Sequence, residues 1–130
     1  MQTITLEQVK EAARKAYEAG TLTAQLSPDN AYCKYHIGNA RCAVGACLTD
    51  ETLKEIDKRG INAQHVGMVI AKGVVAVENP DEVQEIVSIQ VAHDNWCQEV
   101  QAENYPAAEK DRAVFCKLID IPVLSKSMTL

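Results

Sequence analysis

The sequence predicts a mostly helical α+β fold with one β-hairpin in its first half. Apolar residues recur at helical spacing in about five segments, and another segment alternates in polarity on either side of a Gly-Asn pair. The chain has 130 residues, of which 47% are hydrophobic and 5% aromatic. This length is sufficient to bury a core of aliphatic side chains. We therefore expect residues 1–130 to form a single globular domain, with a loose tail from about Pro122.

The first helix is predicted to lie between Thr5 and Gly20. Thr5 and Gln8 have the spacing of a capping box, in which each residue's side chain accepts a hydrogen bond from the other's backbone N–H. Glycine accommodates the left-handed conformation that commonly ends a helix. A loop follows, and residues 31–45 are predicted to form the hairpin.

The predicted hairpin has two candidate turns. A turn at Gly38-Asn39 places glycine first, as a type II′ turn prefers, whereas a turn at Ile37-Gly38 would place Cys33 opposite Cys42. We favour the first turn for its chemistry. It pairs the apolar side chains of the hairpin, Tyr35 with Cys42 and Cys33 with Val44. The opposite, solvated face then carries Lys34, His36 and Arg41.

Two less distinct segments follow the hairpin. Thr49 or Asp50 is predicted to cap a short helix that runs to about Arg59. Asn62 is a candidate cap for a further helix. Residues 66–77 have apolar side chains at helical spacing, but their β-branched side chains and two glycines also suit a strand, so both alternatives remain open.

The clearest element is a long helix that begins after Asn79-Pro80 and runs to about Ala102. Proline at the first helical position after an asparagine cap is typical of a helix start. One predicted face carries Val83, Ile86, Gln90, His93, Cys97 and Val100. The opposite face carries Asp81, Glu85, Ser88, Asn95, Glu99 and Glu103. A last helix, from Pro106 to about Ile119, is predicted to present Val114, Phe115, Leu118 and Ile119 to the core.

The negative charge of the chain is concentrated in one stretch. The net charge is −5, but residues 73–109 contain eight of the 18 acidic residues and no lysine or arginine. Nucleic acids and anionic membrane surfaces bind basic surfaces, so both are disfavoured as direct partners.

The acidic residues of the long helix point to a protein partner. Asp81 with Glu85, and Glu99 with Glu103, are like-charge pairs four residues apart, and each pair costs a few tenths of a kcal/mol in a helix. A basic partner would relieve this repulsion between like charges, and the acidic surface would attract such a partner electrostatically. We therefore predict that these four side chains form a partner-binding surface.

Five cysteines are an odd number, which favours reduced thiols in a cytoplasm. A zinc site is one alternative role for them. The set Cys33, His36, Cys42 and Cys47 is disfavoured, because His36 points away from Cys33 and Cys42 on a strand. A second set, Cys33, Cys42, His93 and Cys97, requires the long helix to pack on the hairpin. The competing interpretation is that these thiols are small buried hydrophobes.

A cysteine-dependent enzyme is a further alternative. Cys47, His93 and Asp94 supply the residue types of a Cys–His–acid arrangement. His93 and Asp94 are adjacent, however, so their side chains diverge by about 100° on a helix. The sequence contains neither a Gly-rich phosphate loop nor a serine elbow, and we assign no catalytic residue and no cofactor.

Two blocks of the sequence resemble small, uncharacterised proteins of tailed phages and prophages. The first block comprises Cys33-Lys34-Tyr35, Gly38 and the run Arg41-Cys42-Ala43-Val44-Gly45-Ala46-Cys47-Leu48, with Asp50-Glu51. The second comprises Ile89-Gln90-Val91-Ala92-His93-Asp94 with Trp96, where Ile89 replaces the usual leucine. The resemblance implies a phage origin and carries no catalytic assignment.

The recurring residues of these blocks are predicted to determine the fold rather than to react: Cys33, Tyr35, Cys42, Gly45, Gln90, His93 and Trp96. The sequence therefore predicts a non-enzymatic phage-type protein in the host cytoplasm. It would inhibit a host factor through its acidic helical surface. The most specific form of this prediction is that the host factor is a CRISPR nuclease complex. A structural zinc module and a thiol enzyme remain the alternatives.

Overall fold

The computed structural model describes residues 1–22, 35–37, 40–62 and 65–122. Within these residues the chain forms five α-helices, two short pairs of β-strands and two 3₁₀ turns. The mostly helical α+β fold class predicted from the sequence is therefore confirmed.

Helix α1 spans Leu6–Ala19 and has the predicted ends. The hydroxyl of Thr5 accepts a hydrogen bond from the backbone N–H of Gln8, and the side chain of Gln8 accepts one from the backbone N–H of Thr5. Gly20 adopts the left-handed conformation, with φ of 70°. The predicted capping box and helix end are confirmed.

A parallel pair of short strands joins the beginning of the chain to its middle. Strand β1, Gln2–Ile4, pairs in register with a strand at Val75–Val77 that becomes β4 in chain order. Helix α3, Val66–Ala71, comes shortly before it. Residues 66–77, for which helix and strand were both open, therefore contain one of each.

The hairpin has the favoured register but is short. Strand β2, His36–Ile37, pairs with β3, Ala40–Arg41, so that His36 lies opposite Arg41. Gly38-Asn39 thus connects the strands, and the alternative turn is wrong. Soon after β3 the chain enters a 3₁₀ turn at Gly45–Cys47 instead of continuing as a strand. Cys33 and Lys34, which were predicted to extend β2, lie outside the described residues.

Helix α2, Asp50–Lys58, is capped by Thr49, one of the two predicted caps. The prediction for Asn62 is wrong, because the side chain of His65 caps α3 by accepting from the N–H of Gly67. Asn62 instead holds the hairpin: its side chain bonds both the N–H and the carbonyl oxygen of His36, at 3.3 and 3.2 Å.

Helices α4, Val83–Gln101, and α5, Tyr105–Leu118, form an antiparallel helical hairpin. A 3₁₀ turn, Pro80–Glu82, precedes α4. Both helices contribute to the core, where Ile86, Ile89, Trp96, Phe115 and Ile119 are buried. The prediction that Val114 faces the core is wrong, because this side chain is 52% exposed. The predicted loose tail falls almost entirely on residues 123–130, outside the described part of the chain.

None of the helices in the described residues combines the length and apolar character that crossing a membrane requires.

Candidate functional site

Gln90 on α4 links the hairpin to the long helix. Its side-chain oxygen accepts hydrogen bonds from the backbone N–H of Val44, at 3.0 Å, and from the thiol of Cys42, at 3.3 Å. Its amide nitrogen donates to the carboxyl group of Asp94, at 2.9 Å. All four residues are buried, so two blocks that lie far apart in the sequence meet in one polar cluster within the core.

Gly45 is required by close backbone packing beside this cluster. A Cβ atom at this position would clash with the carbonyl oxygen of Tyr35 and approach the Cys42 sulfur at 3.1 Å. The backbone N–H of Gly45 also donates to that sulfur, at 3.1 Å. The 3₁₀ turn can therefore approach the hairpin only because residue 45 has no side chain.

His93 is a fully buried side chain within an aromatic cluster. Its ring meets Trp96 edge-on, with centroids 6.1 Å apart, and packs on Phe115 at 5.7 Å. The Cys97 sulfur lies 3.6 Å from Nε2. Nδ1 is 4.0 Å from the carboxyl oxygen of Asp94, beyond hydrogen-bonding distance.

The described contacts do not assemble the Cys–His–acid arrangement. The Cys47 thiol donates to the carbonyl oxygen of Val44, at 3.1 Å, whereas the thiol beside His93 is that of Cys97. Burial raises the pKa of Cys47 to about 12 and raises that of Cys42 further. A thiol with a pKa near 12 is ionised in only about one molecule in 10⁵ at pH 7. Because the thiolate is the reactive form, such a thiol is a weak nucleophile.

The proposed zinc ligands are only partly brought together. His93 and Cys97 are neighbours one turn apart on α4, while the Cys42 thiol is bonded to Gln90. Cys33 lies outside the described residues. In the part of the chain that the structure describes, no three histidine, cysteine, aspartate or glutamate side chains are grouped to hold a metal ion.

The four residues of the predicted partner-binding surface all reach solvent, and we call them the acidic face: Asp81, Glu85, Glu99 and Glu103. Glu99 is half-buried and the others are exposed. Only Glu85 and Glu99 lie within α4; Asp81 belongs to the preceding 3₁₀ turn, and Glu103 follows the helix with a φ of 58°. The expected helical pairing of Glu99 with Glu103 is therefore wrong, because α4 ends between them.

Other acids of the same stretch have structural partners. The carboxyl of Glu82 accepts a hydrogen bond from the backbone N–H of Leu6 at the start of α1, at 3.1 Å. Glu109 forms an ion pair with Arg112, at 2.6 Å, and Arg112 also donates to the hydroxyl of Tyr17, at 2.7 Å. The acidic stretch thus contains two kinds of residue. Glu82 and Glu109 contact other parts of the fold, whereas the four residues of the acidic face take part in none of the ion pairs among the described residues.

Several grooves open on the described surface, and two of them contain residues of the sequence predictions. One, of about 710 Å³, lies beside α1 and the 3₁₀ turn and contains Cys47 and Arg41. The other, of about 310 Å³, lies between α4 and α5. Val91 and Val114 line it while remaining 36% and 52% exposed. The sequence does not indicate this second groove, because the helical spacing of the last helix predicts Val114 in the core. The signal that could have indicated its exposure is that Val114 lies between the lysines at 110 and 117.

A scan against protein-family profiles and searches of curated proteins and of solved structures find no match to this chain.

Proposed function

We propose that the protein is a non-enzymatic, phage-type inhibitor that binds a host factor in the cytoplasm through the acidic face. In the sharpest form of this proposal, the host factor is a nuclease complex of a CRISPR defence system. Support comes from the phage-like sequence blocks and from the charges around α4.

The observation that carries the proposal is the contrast between two kinds of surface charge. On α1 and α2, three of the surface acids have basic partners, Glu7 with Arg14, Glu11 with Lys15, and Glu55 with Arg59, whereas Glu18 and Glu51 take part in none of the ion pairs among the described residues. None of the ion pairs among the described residues includes a member of the acidic face. A basic partner would neutralise these charges, and long-range attraction would speed its approach.

A protein that itself binds nucleic acid fits this acidic face by charge. Such proteins hold the phosphate backbone with clustered lysine and arginine side chains. Carboxylates at Asp81 and Glu85, near one end of α4, and at Glu99 and Glu103, near the other, present negative charge at separated points, as phosphates do. Occupation of those lysine and arginine side chains by the acidic face would then exclude the nucleic acid.

The test is capture of the host factor by the purified protein, compared with a variant in which Glu85, Glu99 and Glu103 are changed to lysine. The matched control changes Glu18 and Glu51, two exposed acids on α1 and α2, to lysine. We expect the triple variant to lose capture and the control to retain it. The loss of capture by the triple variant should be larger at low salt, because surface charges are then less screened.

The inhibitory step is tested separately in cells that carry a CRISPR system directed against a phage. Expression of the protein should restore plaque formation, and the triple lysine variant should not. Unchanged capture after charge reversal, or the absence of any captured factor, contradicts the proposal. Capture without restored plaques would contradict the CRISPR form of it and leave binding intact.

A further inference from the structure

The outer edge of strand β1 carries backbone groups that the parallel strand pair does not use. Ile4 pairs with Val77, and its carbonyl oxygen accepts a hydrogen bond from the backbone N–H of Glu78, at 2.9 Å. Successive residues of a strand direct their N–H and carbonyl groups to opposite edges. Because Ile4 bonds to β4 in this way, the N–H and the carbonyl oxygen of Thr3 point away from β4.

The backbone of Thr3 is open to a further strand. Thr3 is exposed, and its N–H and carbonyl oxygen take part in none of the hydrogen bonds among the described residues. An edge strand with unpaired backbone groups is a template for another strand, and proteins commonly block such edges with proline or lysine. Strand β1, Gln2–Ile4, contains neither residue. The edge therefore has the hydrogen-bonding geometry that a third strand requires.

The groove of about 710 Å³ adjoins this strand. Gln2 and Thr3 line it from β1, α1 forms one wall, and the 3₁₀ turn forms another through Ala46 and Cys47. The side chain of Gln2 donates to the carbonyl oxygen of Cys47 and accepts from the N–H of Thr49, both at 2.9 Å. These two bonds fix the spacing between β1 and the turn. The groove is therefore formed before any ligand enters, which lowers the entropic cost of binding.

The charged side chains that line this groove are already compensated. Glu11 and Lys15 form an ion pair on α1, 3.4 Å apart, and the guanidinium group of Arg41 lies 3.8 Å from the carboxyl group of Asp50. The other described residues that line the groove are uncharged. A charged ligand would have to compete with these pairs, whereas an uncharged ligand leaves both intact. By charge, the groove fits an uncharged occupant.

We propose that β1 is the docking edge for an extended, uncharged segment of a partner polypeptide, which adds to the strand pair as a third strand. The backbone of the segment would donate to the carbonyl oxygen of Thr3 and accept from its N–H, and alternate side chains of the segment would enter the groove. This docking edge shares no residue with the acidic face and does not depend on the proposed function, so the two proposals can fail separately.

The first experiment selects binders to the purified protein from a phage-displayed library of random nine-residue peptides. We expect the selected peptides to be poor in charged residues and their synthetic copies to bind with Kd of about 1–100 μM in calorimetry. Thr3→Pro removes the free N–H and leaves the pairing with β4 intact, so it should weaken binding by about tenfold. The control Thr3→Val keeps the N–H and should bind like the original protein. Far-UV circular dichroism establishes that each variant is folded.

The second experiment tests the strand geometry in the peptide itself and needs no variant of the protein. Each backbone N–H of the tightest-binding peptide is replaced in turn by an N-methyl group. Only alternate N–H groups of an added strand face β1, so binding should fall at every second position along the contact. Charge reversal of the acidic face at Glu85, Glu99 and Glu103 should leave peptide binding unchanged.

Several outcomes overturn the proposal. The first is a library from which no peptide is enriched. The second is a folded Thr3→Pro variant that binds as tightly as Thr3→Val. The third is an N-methyl scan without a period of two residues, which would exclude an added strand even if Thr3→Pro does not fold. Selected peptides rich in acidic or basic residues would contradict an uncharged occupant.

Discussion

Replacement of Gln90 by leucine is the most direct test of the buried polar cluster. The side chain is 4% exposed, and leucine has a similar volume, so the change removes polar atoms without opening a large cavity. It removes the acceptor used by the Val44 N–H and the Cys42 thiol, and the donor that faces Asp94.

The expected cost follows from those three hydrogen bonds. Loss of the acceptor for a buried backbone N–H costs about 1–3 kcal/mol, and loss of the donor to a buried carboxyl group costs about 1 kcal/mol or more. The Cys42 thiol is a weak donor and adds little. Burial of the leucine side chain returns about 1 kcal/mol, so we expect a net loss of about 2–4 kcal/mol in the free energy of unfolding. For a chain of this length that lowers Tm by about 10 °C.

Urea unfolding followed by tryptophan fluorescence measures this loss. Trp96 is the single tryptophan and is 2% exposed, so its emission reports the core in which Gln90 lies. Gln84→Leu is the matched control, since Gln84 is an exposed glutamine on the same helix, and we expect it to change stability by less than about 0.5 kcal/mol. If Gln90→Leu is as mild as this control, Gln90 does not connect the hairpin to α4 in the way described.

Three further predictions concern single positions. Gly45→Ala should destabilise the protein by about 3 kcal/mol in urea, because the new methyl group would overlap the Tyr35 carbonyl oxygen. Thr5→Ala should cost about 1 kcal/mol in the same assay, since it removes the hydroxyl that caps the N–H of Gln8. For Cys47, burial raises the pKa from 9.0 to about 12, so the folded state retains a proton that the unfolded state loses. Its contribution to stability is complete below pH 9 and is lost as pH rises towards about 12, so the stability difference from Cys47→Ala should shrink over that range.

Each of these predictions has a contradicting result. A Gly45→Ala variant as stable as the original would mean that the hairpin and the 3₁₀ turn can separate without cost. If Thr5→Ala does not lower the free energy of unfolding, the cap lies outside the part of the protein that unfolds cooperatively. If the effect of Cys47→Ala is the same at pH 8 and pH 11, the Cys47 thiol is not shielded from solvent in the folded state.

Local signals predicted the parts of the fold that depend on neighbours in sequence. The capping box at Thr5 and the Asn79-Pro80 start of the long helix each involve residues within a few positions of one another. The turn at Gly38-Asn39 was predicted for the same reason. Each of these signals can be recognised in the sequence because a few neighbouring residues determine the backbone geometry without contacts from the rest of the chain.

Pairings across the chain were not predictable in this way. Strands β1 and β4 have three residues each, too few for alternation to be recognised, and the sheet exists only because they meet. Asparagine is favoured at helix caps, so the sequence predicts a cap at Asn62, whereas the structure uses its side chain to bond the backbone of His36. At the site, Gln90 and His93 were expected as internal polar groups and lie in the core. The exposure of Val114 required the position of α5 relative to α4.

The pairing of β1 with β4 has a consequence for how the chain folds. Thr3 lies opposite Ala76, so the first strand closes a loop of about 70 residues, and the length-dependent entropy of that closure is about 4 kcal/mol. Helices α4 and α5 need only a three-residue connection to meet. We therefore expect the helical hairpin to form early and the first strand to dock late. Strand β1, although it is synthesised before the helical hairpin, would then be among the last elements to reach its final place.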